Sequence, residues 1–234
     1  MAKRPGSRKS AKGEDTPAAG RTRDALARYR ALESFDRDIA TRGLPTVAGV
    51  DEVGRGALAG PVVCAAVVLR RDSGLVGVDD SKRVDSKRRD ELFARIVAEA
   101  ESIGIAFGHP DLIDRENILV ATLMTMHRAV GALRVRPDVV LVDGRDGFQW
   151  PGTVVPVPQG DGRSLAIAAA SIVAKVARDR MMCRLHERFP LYNFRRNKGY
   201  GTVDHIRAIS LYGAAAVHRR SFLLKIIEKK PTMF

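Results

Sequence analysis

Four acidic residues carry the chemistry most readily read from this sequence. Asp51 and Glu52 follow a short apolar run, Thr46–Val50. Asp143 follows Val139–Val142, and Asp161 follows Thr153–Val157, just ahead of a long helical pattern. Short apolar runs bounded by turn-forming residues read as strands, and carboxylates at the carboxyl ends of several strands can converge where α/β sheets place their sites. Clustered carboxylates without thiol or imidazole are hard oxygen donors, suited to Mg²⁺ or Mn²⁺ over zinc or copper. Two such ions about 4 Å apart activate a water and steady the leaving oxygen of a phosphodiester. Each residue alone has a plainer reading: Asp143-Gly144 as a turn, Asp161 as a helix cap, Asp51-Glu52 as a polar strand end. Adjacent residues in a regular strand also point to opposite faces. Asp51 and Glu52 therefore share a site only if the chain leaves strand geometry there, which the glycines at 54, 56 and 60 permit.

Other reaction chemistries are poorly represented. The five histidines (His109, His127, His186, His205, His218) lack metal-ligand spacing and read as packing or surface residues. No Gly-x-Ser-x-Gly and no P-loop is present. Gly54-Arg55-Gly56 is followed by a second strand instead of a helix, so it is not a dinucleotide fingerprint. Cys64 and Cys183 are too few for a disulfide scaffold or a cysteine zinc site. Both lie in apolar stretches and read as buried free thiols, which suits a reducing, cytoplasmic setting.

The elements that must position the carboxylates follow from periodicity. A helix is expected from Thr22 to about Thr41, with Leu26, Tyr29, Leu32 and Phe35 on one face. Thr46–Val50 and Pro61–Leu69 read as a hairpin with a long glycine-rich turn. Asp85 begins a helix to about Ser102, with Leu92, Ile96 and Val97 inward. Ile103–Phe107 reads as a strand and Asn117–Leu133 as an apolar helix. Ser164–His186 is a long helix whose Ala168–Ala170 stretch permits close packing, and two more helices fall near Val203–Tyr212 and Ser221–Lys229. Strands interleaved with helices give an α/β domain with a mixed sheet of about five strands, followed by a helical extension.

The chain has 234 residues, 45% of them apolar, enough to bury a core. The longest runs without charge, Gly56–Leu69 and Gly147–Gly160, are each 14 residues, short of the roughly 20 a membrane helix needs. Net charge is +13, with +5 on Met1–Arg23, +8 on Arg184–Phe234 and a neutral body, Asp24–Cys183. Positive ends on a neutral body point to a polyanion, most plausibly nucleic acid. Met1–Arg23 reads as a disordered basic tail, Asp24–Cys183 as the catalytic domain with its leading helix, and Arg184–Phe234 as a basic helical extension packed upon it.

The stretch Ala48-Gly49-Val50-Asp51-Glu52-Val53-Gly54-Arg55-Gly56-Ala57-Leu58-Ala59-Gly60-Pro61 closely resembles the opening motif of bacterial ribonuclease HII, the type 2 ribonuclease H. Asp80-Ser81-Lys82, Ile113-Asp114 through Asn117-Ile118-Leu119, Val142-Asp143-Gly144 and Gly160-Asp161 continue the resemblance in order. It ends with Ile167–Asp179, Lys198-Gly199-Tyr200-Gly201-Thr202 with His205, and His218-Arg219-Arg220-Ser221-Phe222.

The resemblance implies an RNase H-like fold with a C-terminal helical extension. It implies an endonuclease acting on the RNA strand of RNA–DNA hybrids and at single ribonucleotides embedded in duplex DNA. It places the metal carboxylates on Asp51, Glu52, Asp143 and Asp161, for two Mn²⁺ or Mg²⁺ ions during catalysis. The Gly54-Arg55-Gly56 loop would read ribose 2′-hydroxyls, and Tyr200 would stack on the sugar at the RNA–DNA junction. Only the 2′-hydroxyl distinguishes RNA from DNA, and glycines let the backbone approach it.

One departure is Gln159, where the bacterial pattern has lysine. Ser171, Lys175 and Arg178 share a face of the long helix. Lys175 is expected to face phosphate, the alternative being that the row packs against the sheet's polar edge. No obligate protein partner or membrane contact is expected, and a monomer is the default. Two rival readings are a non-enzymatic basic RNA-binding protein and another nuclease of the same fold acting on DNA.

Overall fold

The computed structural model describes residues 17–40, 45–71, 73–78 and 85–229, with side chains from Arg23 to Leu224 among them. The Asp80-Ser81-Lys82 element and residues 1–16 lie outside the described residues. The remainder of the expected tail does not stay irregular: helix α1 begins at Pro17 and runs to Ala40.

Five strands form one mixed sheet in the order β3-β2-β1-β4-β5. Strand β1 (Val47–Val53) pairs antiparallel with β2 (Val62–Leu69), giving the expected hairpin, and parallel with β4 (Val139–Asp143). β2 continues antiparallel to β3 (Ala100–Gly108), and β4 continues parallel to β5 (Thr153–Val157). β1 is therefore the hinge between an antiparallel half and a parallel half, and every residue from Ala48 to Val50 and from Val62 to Val68 on the central pair is out of solvent.

Helix α5 (Leu165–Arg188) lies across one face of the sheet, where it meets α1 and α2 (Ser86–Glu99). Helix α4 (Ile118–Gly131) covers the other face, against Val50, Cys64, Ala66, Val140 and Val142. α2 buries Leu92 and Ile96, but Val97 is 52% exposed, because 100° of rotation beyond Ile96 carries it off the inner stripe. β3 begins at Ala100, earlier than Ile103, and takes the last residues assigned to that helix. A short helix not read from the sequence, α3 (Pro110–Glu116), starts on proline at its first position. Asn117, in the left-handed region, then caps α4 through its side-chain oxygen.

The close approach of α5 to the sheet centres on Gly49. A Cβ there would lie 2.1 Å from the Ala166 carbonyl carbon and 2.2 Å from the Ile167 nitrogen. Backbone faces backbone, and β1 is held on both edges, so neither partner can yield. Gly49→Ala is expected to destabilise the fold by about 3 kcal/mol through overpacking, measured as a lowered denaturant midpoint at unchanged slope.

After α5 the chain passes through a 3₁₀ turn (Pro190–Tyr192), the single-turn α6 (Phe194–Asn197) and α7 (Val203–Tyr212) to α8 (Arg220–Lys229). Met182, Tyr192, Phe194 and Ala208 pack with Ala59 of the β1–β2 loop into a separate apolar cluster. Asp114 of α3 accepts from the Arg220 and Ser221 N–H groups and the Ser221 hydroxyl, docking the start of α8.

Candidate active site

Register decides which carboxylates meet. Val50 of β1 and Val142 of β4 are the last pair of their parallel ladder, so the next residues, Asp51 within β1 and Asp143 at the end of β4, lie side by side. Val50 and Val142 both pack toward α4; the pleat therefore turns Asp51 and Asp143 toward α5. Asp161 lies in a 3₁₀ turn (Gly160–Gly162) directly after β5. Its neighbour Gly160 donates its N–H to Asp143 Oδ1 at 2.7 Å, which binds that turn to the end of β4. Asp161 does not cap α5: Ser164 does, accepting from the Ile167 N–H, and Asp36 of α1 accepts from Ala166.

The condition stated for Asp51 and Glu52 to share one face is not met. Strand pairing persists to Val53, so the chain does not leave strand geometry at this point. Glu52 pairs with Cys64, whose sulfur faces the Thr122 carbonyl of α4, and the pleat directs it to that side. Its carboxylate stands 3.5 Å from the Arg55 guanidinium. Asp51 and Glu52 remain coupled at the strand end, where the Glu52 N–H donates to Asp51 Oδ1 at 2.7 Å.

The electrostatics are dominated by Asp51, which is only 6% exposed. Burial, then the charges of Glu52 and Asp143, push its carboxyl well above the usual range; hydrogen bonds from Ser171 and from the Glu52 N–H act in the opposite direction. A raised folded pKa means stability is contributed below the unfolded value, near 3.8, and is lost as pH climbs toward the folded one. In buffer with chelator, Asp51→Asn is expected to melt higher than the wild type at neutral pH. The gap should close as the pH falls toward 3.8. A constant gap across that range would exclude Asp51 as the titrating group.

The donor set fits a hard divalent cation: oxygen atoms only, and mutual repulsion that a cation would relieve. No group of three or more His, Cys, Asp or Glu side chains converges into a metal cage among the described residues. Mg²⁺ does not require one, since it is commonly held by one or two carboxylates together with waters and substrate phosphates.

Beside the carboxylates, two buried arginines shape the loop between β1 and β2. Arg178 of α5 has 0% exposure and donates to three carbonyls: Pro61 (3.0 Å), Lys198 (2.9 Å) and Ala59 (3.3 Å). A Cβ on Gly54 would lie 2.1 Å from its Nε, and Gly54 has φ +94°, so only glycine fits there. Arg219, also at 0%, donates to Gly60 (3.0 Å) and Arg55 (2.8 Å). Burial and then the Arg178 charge lower its pKa to about 9. The N–H groups of Leu58 and Ala59 both donate to the Gly199 carbonyl, tying the loop to the Lys198–Gly201 segment. There Tyr200 is 37% exposed, its ring 5.3 Å from the Arg178 guanidinium.

Of the helix row, Ser171 is buried on Asp51 and Arg178 is buried on the loop. Lys175 forms an ion pair at 2.7 Å with Asp179, one turn further along the same helix. Cys64 is buried, whereas Cys183 is half-buried with Lys198 Nζ at 3.4 Å. The loop-holding roles of Arg178 and Arg219 were not anticipated. Arg178 is one of several charges in its part of α5, beside Lys175, Asp179 and Arg180, and neither it nor Arg219 carries a local signal beyond its motif.

The chain matches the family described as Ribonuclease HII over residues 48–225. A Ribonuclease HII of Geotalea daltonii is 50% identical over 191 residues, covering 82% of this chain and 88% of that protein. Among solved structures, the ribonuclease H2 of Pyrococcus horikoshii superposes with a TM-score of 0.65 at 26% identity, covering 80% of this chain and 99% of that one. Bst-RNase HIII in complex with Mn²⁺ superposes at 0.59 with 18% identity, covering 79% and 70%, a likeness of fold. No helix among the described residues is long and apolar enough to cross a membrane.

Proposed function

The chain belongs to the ribonuclease HII family and is a ribonuclease H, and from that premise we propose that it is a divalent-metal-dependent endonuclease. Its substrates are the RNA strand of RNA–DNA hybrids and single ribonucleotides embedded in duplex DNA. It incises on the 5′ side of the ribonucleotide and leaves a 3′-hydroxyl and a 5′-phosphate. The observation that supports this reading is the parallel β1–β4 register, whose ladder ends at Val50 and Val142 with Asp51 and Asp143 next in each strand, close enough for the Asp143 charge to raise Asp51.

Asp51, Asp143 and Asp161 would hold the cations, and Glu52, which the pleat turns toward α4 but whose charge still raises the Asp51 carboxyl, would join them from the other side of the strand. Bound there, two divalent ions supply a water of lowered pKa and charge stabilisation at the departing 3′-oxygen. The support for Mn²⁺ or Mg²⁺ is the all-oxygen donor set and the Mn²⁺ complex of the ribonuclease HIII. Ser171 and the Glu52 N–H orient the Asp51 carboxylate, and the Gly160 N–H orients that of Asp143. The Gly54-Arg55-Gly56 loop, its Arg55 carbonyl held by Arg219 and its Gly54 packed on Arg178, presents backbone and the Arg55 side chain to the ribose and its phosphate. Tyr200 supplies a flat ring for the sugar at the junction. Lys175, paired with Asp179 through one donor, keeps two further N–H groups for phosphate.

A duplex with one embedded ribonucleotide tests the reading, assayed with and without Mg²⁺ or Mn²⁺ beside a continuous hybrid and an all-DNA control. Metal-dependent incision 5′ of the ribonucleotide is expected. Binding without scission, or equal cutting of all-DNA duplex, defeats the reading. Arg55→Ala should lower kcat/KM on the single-ribonucleotide duplex about tenfold, the worth of one charge-assisted contact; an unchanged value removes Arg55 from recognition.

A further inference from the structure

Two buried histidines join the Tyr200 segment to the loop-holding arginine. Neither His205, on α7, nor His218, in the turn before α8, touches a carboxylate of the proposed metal site in the contacts described above. Both are out of solvent, His205 at 0% and His218 at 3%. Their rings sit among Tyr192 and Phe194, with His218 4.8 Å from Tyr192 and His205 5.4 Å from Phe194, centroid to centroid.

The backbone groups at the two ends assign every proton between them. The Ala215 N–H donates to His218 Nδ1 at 3.0 Å, so that nitrogen is a bare acceptor and the His218 proton lies on Nε2. His218 Nε2 stands 3.1 Å from His205 Nε2, which must then accept. The His205 proton is therefore on Nδ1, 2.9 Å from the Tyr200 carbonyl, which can only accept. The opposite tautomers would satisfy the Ala215 carbonyl, 3.2 Å from His218 Nδ1, but would set a nitrogen lone pair against the Tyr200 carbonyl. Burial keeps both rings neutral, lowering His205 and bringing His218 to about 4.

The chain of contacts does not stop at His218. A bridge pairs His218 with Ala59, and the Gly60 N–H donates to the Val217 carbonyl at 2.8 Å. The next residue, Arg219, donates its N–H to Leu58 and its guanidinium to Gly60 and Arg55. Hydrogen bonds thus lead from the Tyr200 carbonyl through two imidazoles to His218, and the peptide link to Arg219 carries the connection on to the Arg55 carbonyl.

We propose that the His205–His218 pair is a specificity-determining strut: it fixes the separation between Tyr200 and the Gly54-Arg55-Gly56 loop, and with it the preference for a lone ribonucleotide over continuous hybrid. The two histidines are positioning residues, acting through Tyr200 and Arg219. The inference rests on the proposed reading of Tyr200 and the loop as the two readers of the RNA–DNA junction. A continuous hybrid presents a 2′-hydroxyl at every step and tolerates a shifted Tyr200. A lone ribonucleotide offers one 2′-hydroxyl and one junction sugar, and needs both readers at a set spacing.

The readout is the ratio of kcat/KM on the single-ribonucleotide duplex to that on continuous hybrid, which general damage to the fold does not move. Gln at 205 places its amide near the Nε2 position and loses the donor to Tyr200, whereas Asn places an N–H near Nδ1 and keeps it. His205→Gln and Tyr200→Ala should each lower the ratio about tenfold, while His205→Asn should hold it within about twofold. If Tyr200→Ala leaves the ratio unchanged, the reading of Tyr200 fails and the strut with it. If Tyr200→Ala lowers the ratio but His205→Gln does not, or slows both substrates alike, the strut alone is overturned. Should His205→Gln not fold, the wild-type protein decides through ¹⁵N–¹H correlation of its imidazoles at neutral pH. Protons on His205 Nδ1 and His218 Nε2 support the strut, and the opposite tautomers overturn it.

Discussion

Asp143→Asn is expected to lose cleavage of every ribonucleotide-containing substrate by on the order of a thousandfold, the scale of several kcal/mol of charge stabilisation in the transition state. It should do so without damage to the fold. The Asp143 side chain accepts a hydrogen bond from the Gly160 N–H, and an asparagine carbonyl oxygen can accept the same bond. The substitution also withdraws one of the two like charges that raise Asp51, so thermal stability should equal or exceed that of the wild type. Hybrid binding should stay close to wild type, because the substitution removes a negative charge and no positive one. Single-turnover cleavage, thermal melting and binding anisotropy on the same preparation separate these effects. Cleavage at the wild-type rate would remove Asp143 from the site and leave the proposed metal centre without its β4 carboxylate.

Arg178→Ala is expected to be among the most damaging substitutions available outside the carboxylates, costing about 3–5 kcal/mol and lowering Tm by about 10 °C. Its guanidinium is buried beneath the β1–β2 loop and serves the carbonyls of Pro61, Lys198 and Ala59 together. Removing it strands three buried acceptors and opens a gap under Gly54. Arg178→Lys should not rescue the protein, because a single ammonium cannot reproduce a planar fork reaching two chain segments. Activity should fall further than the unfolded fraction explains, since the same arginine sets the loop and stands 5.3 Å from the Tyr200 ring. A lysine variant with wild-type melting and turnover would show that cation charge alone, not the three-way geometry, is what the site uses.

Much of the architecture was legible because periodicity and punctuation acted locally. The β1–β2 hairpin, the apolar β4, the α4 and α5 helices and the two late helices all fall where alternation, apolar runs and caps such as Ser164 and Asn117 indicate. The errors are equally local in origin. The helix ending expected at Ser102 gave way to β3 from Ala100 because pairing with Leu69 across the sheet outweighed helix propensity. Val97 was placed inward by hydrophobicity when its angular position carries it out. The departure from strand geometry that the glycines permit at Asp51-Glu52 does not occur, because β2 pairs on through Val53 and holds the pleat.

The amino-acid sequence by itself determined which atoms are available to this site. It supplies carboxylate oxygens at three strand ends, a glycine-rich loop that a side chain could not occupy, and arginines with enough donors to hold it. Residue type and spacing are properties of the chain, and they restrict the donor chemistry before any fold exists. The tertiary structure decided partnership. Only the parallel register of β1 and β4 sets Asp51 against Asp143; only the crossing of α5 gives Ser171 to Asp51 and Arg178 to the loop; only the return of the C-terminal turn brings His218 to His205. Each of these contacts joins segments far apart in sequence or fixes the direction of a side chain, and hydrogen bonds act over about 3 Å, a distance that register and packing set and that no local pattern encodes.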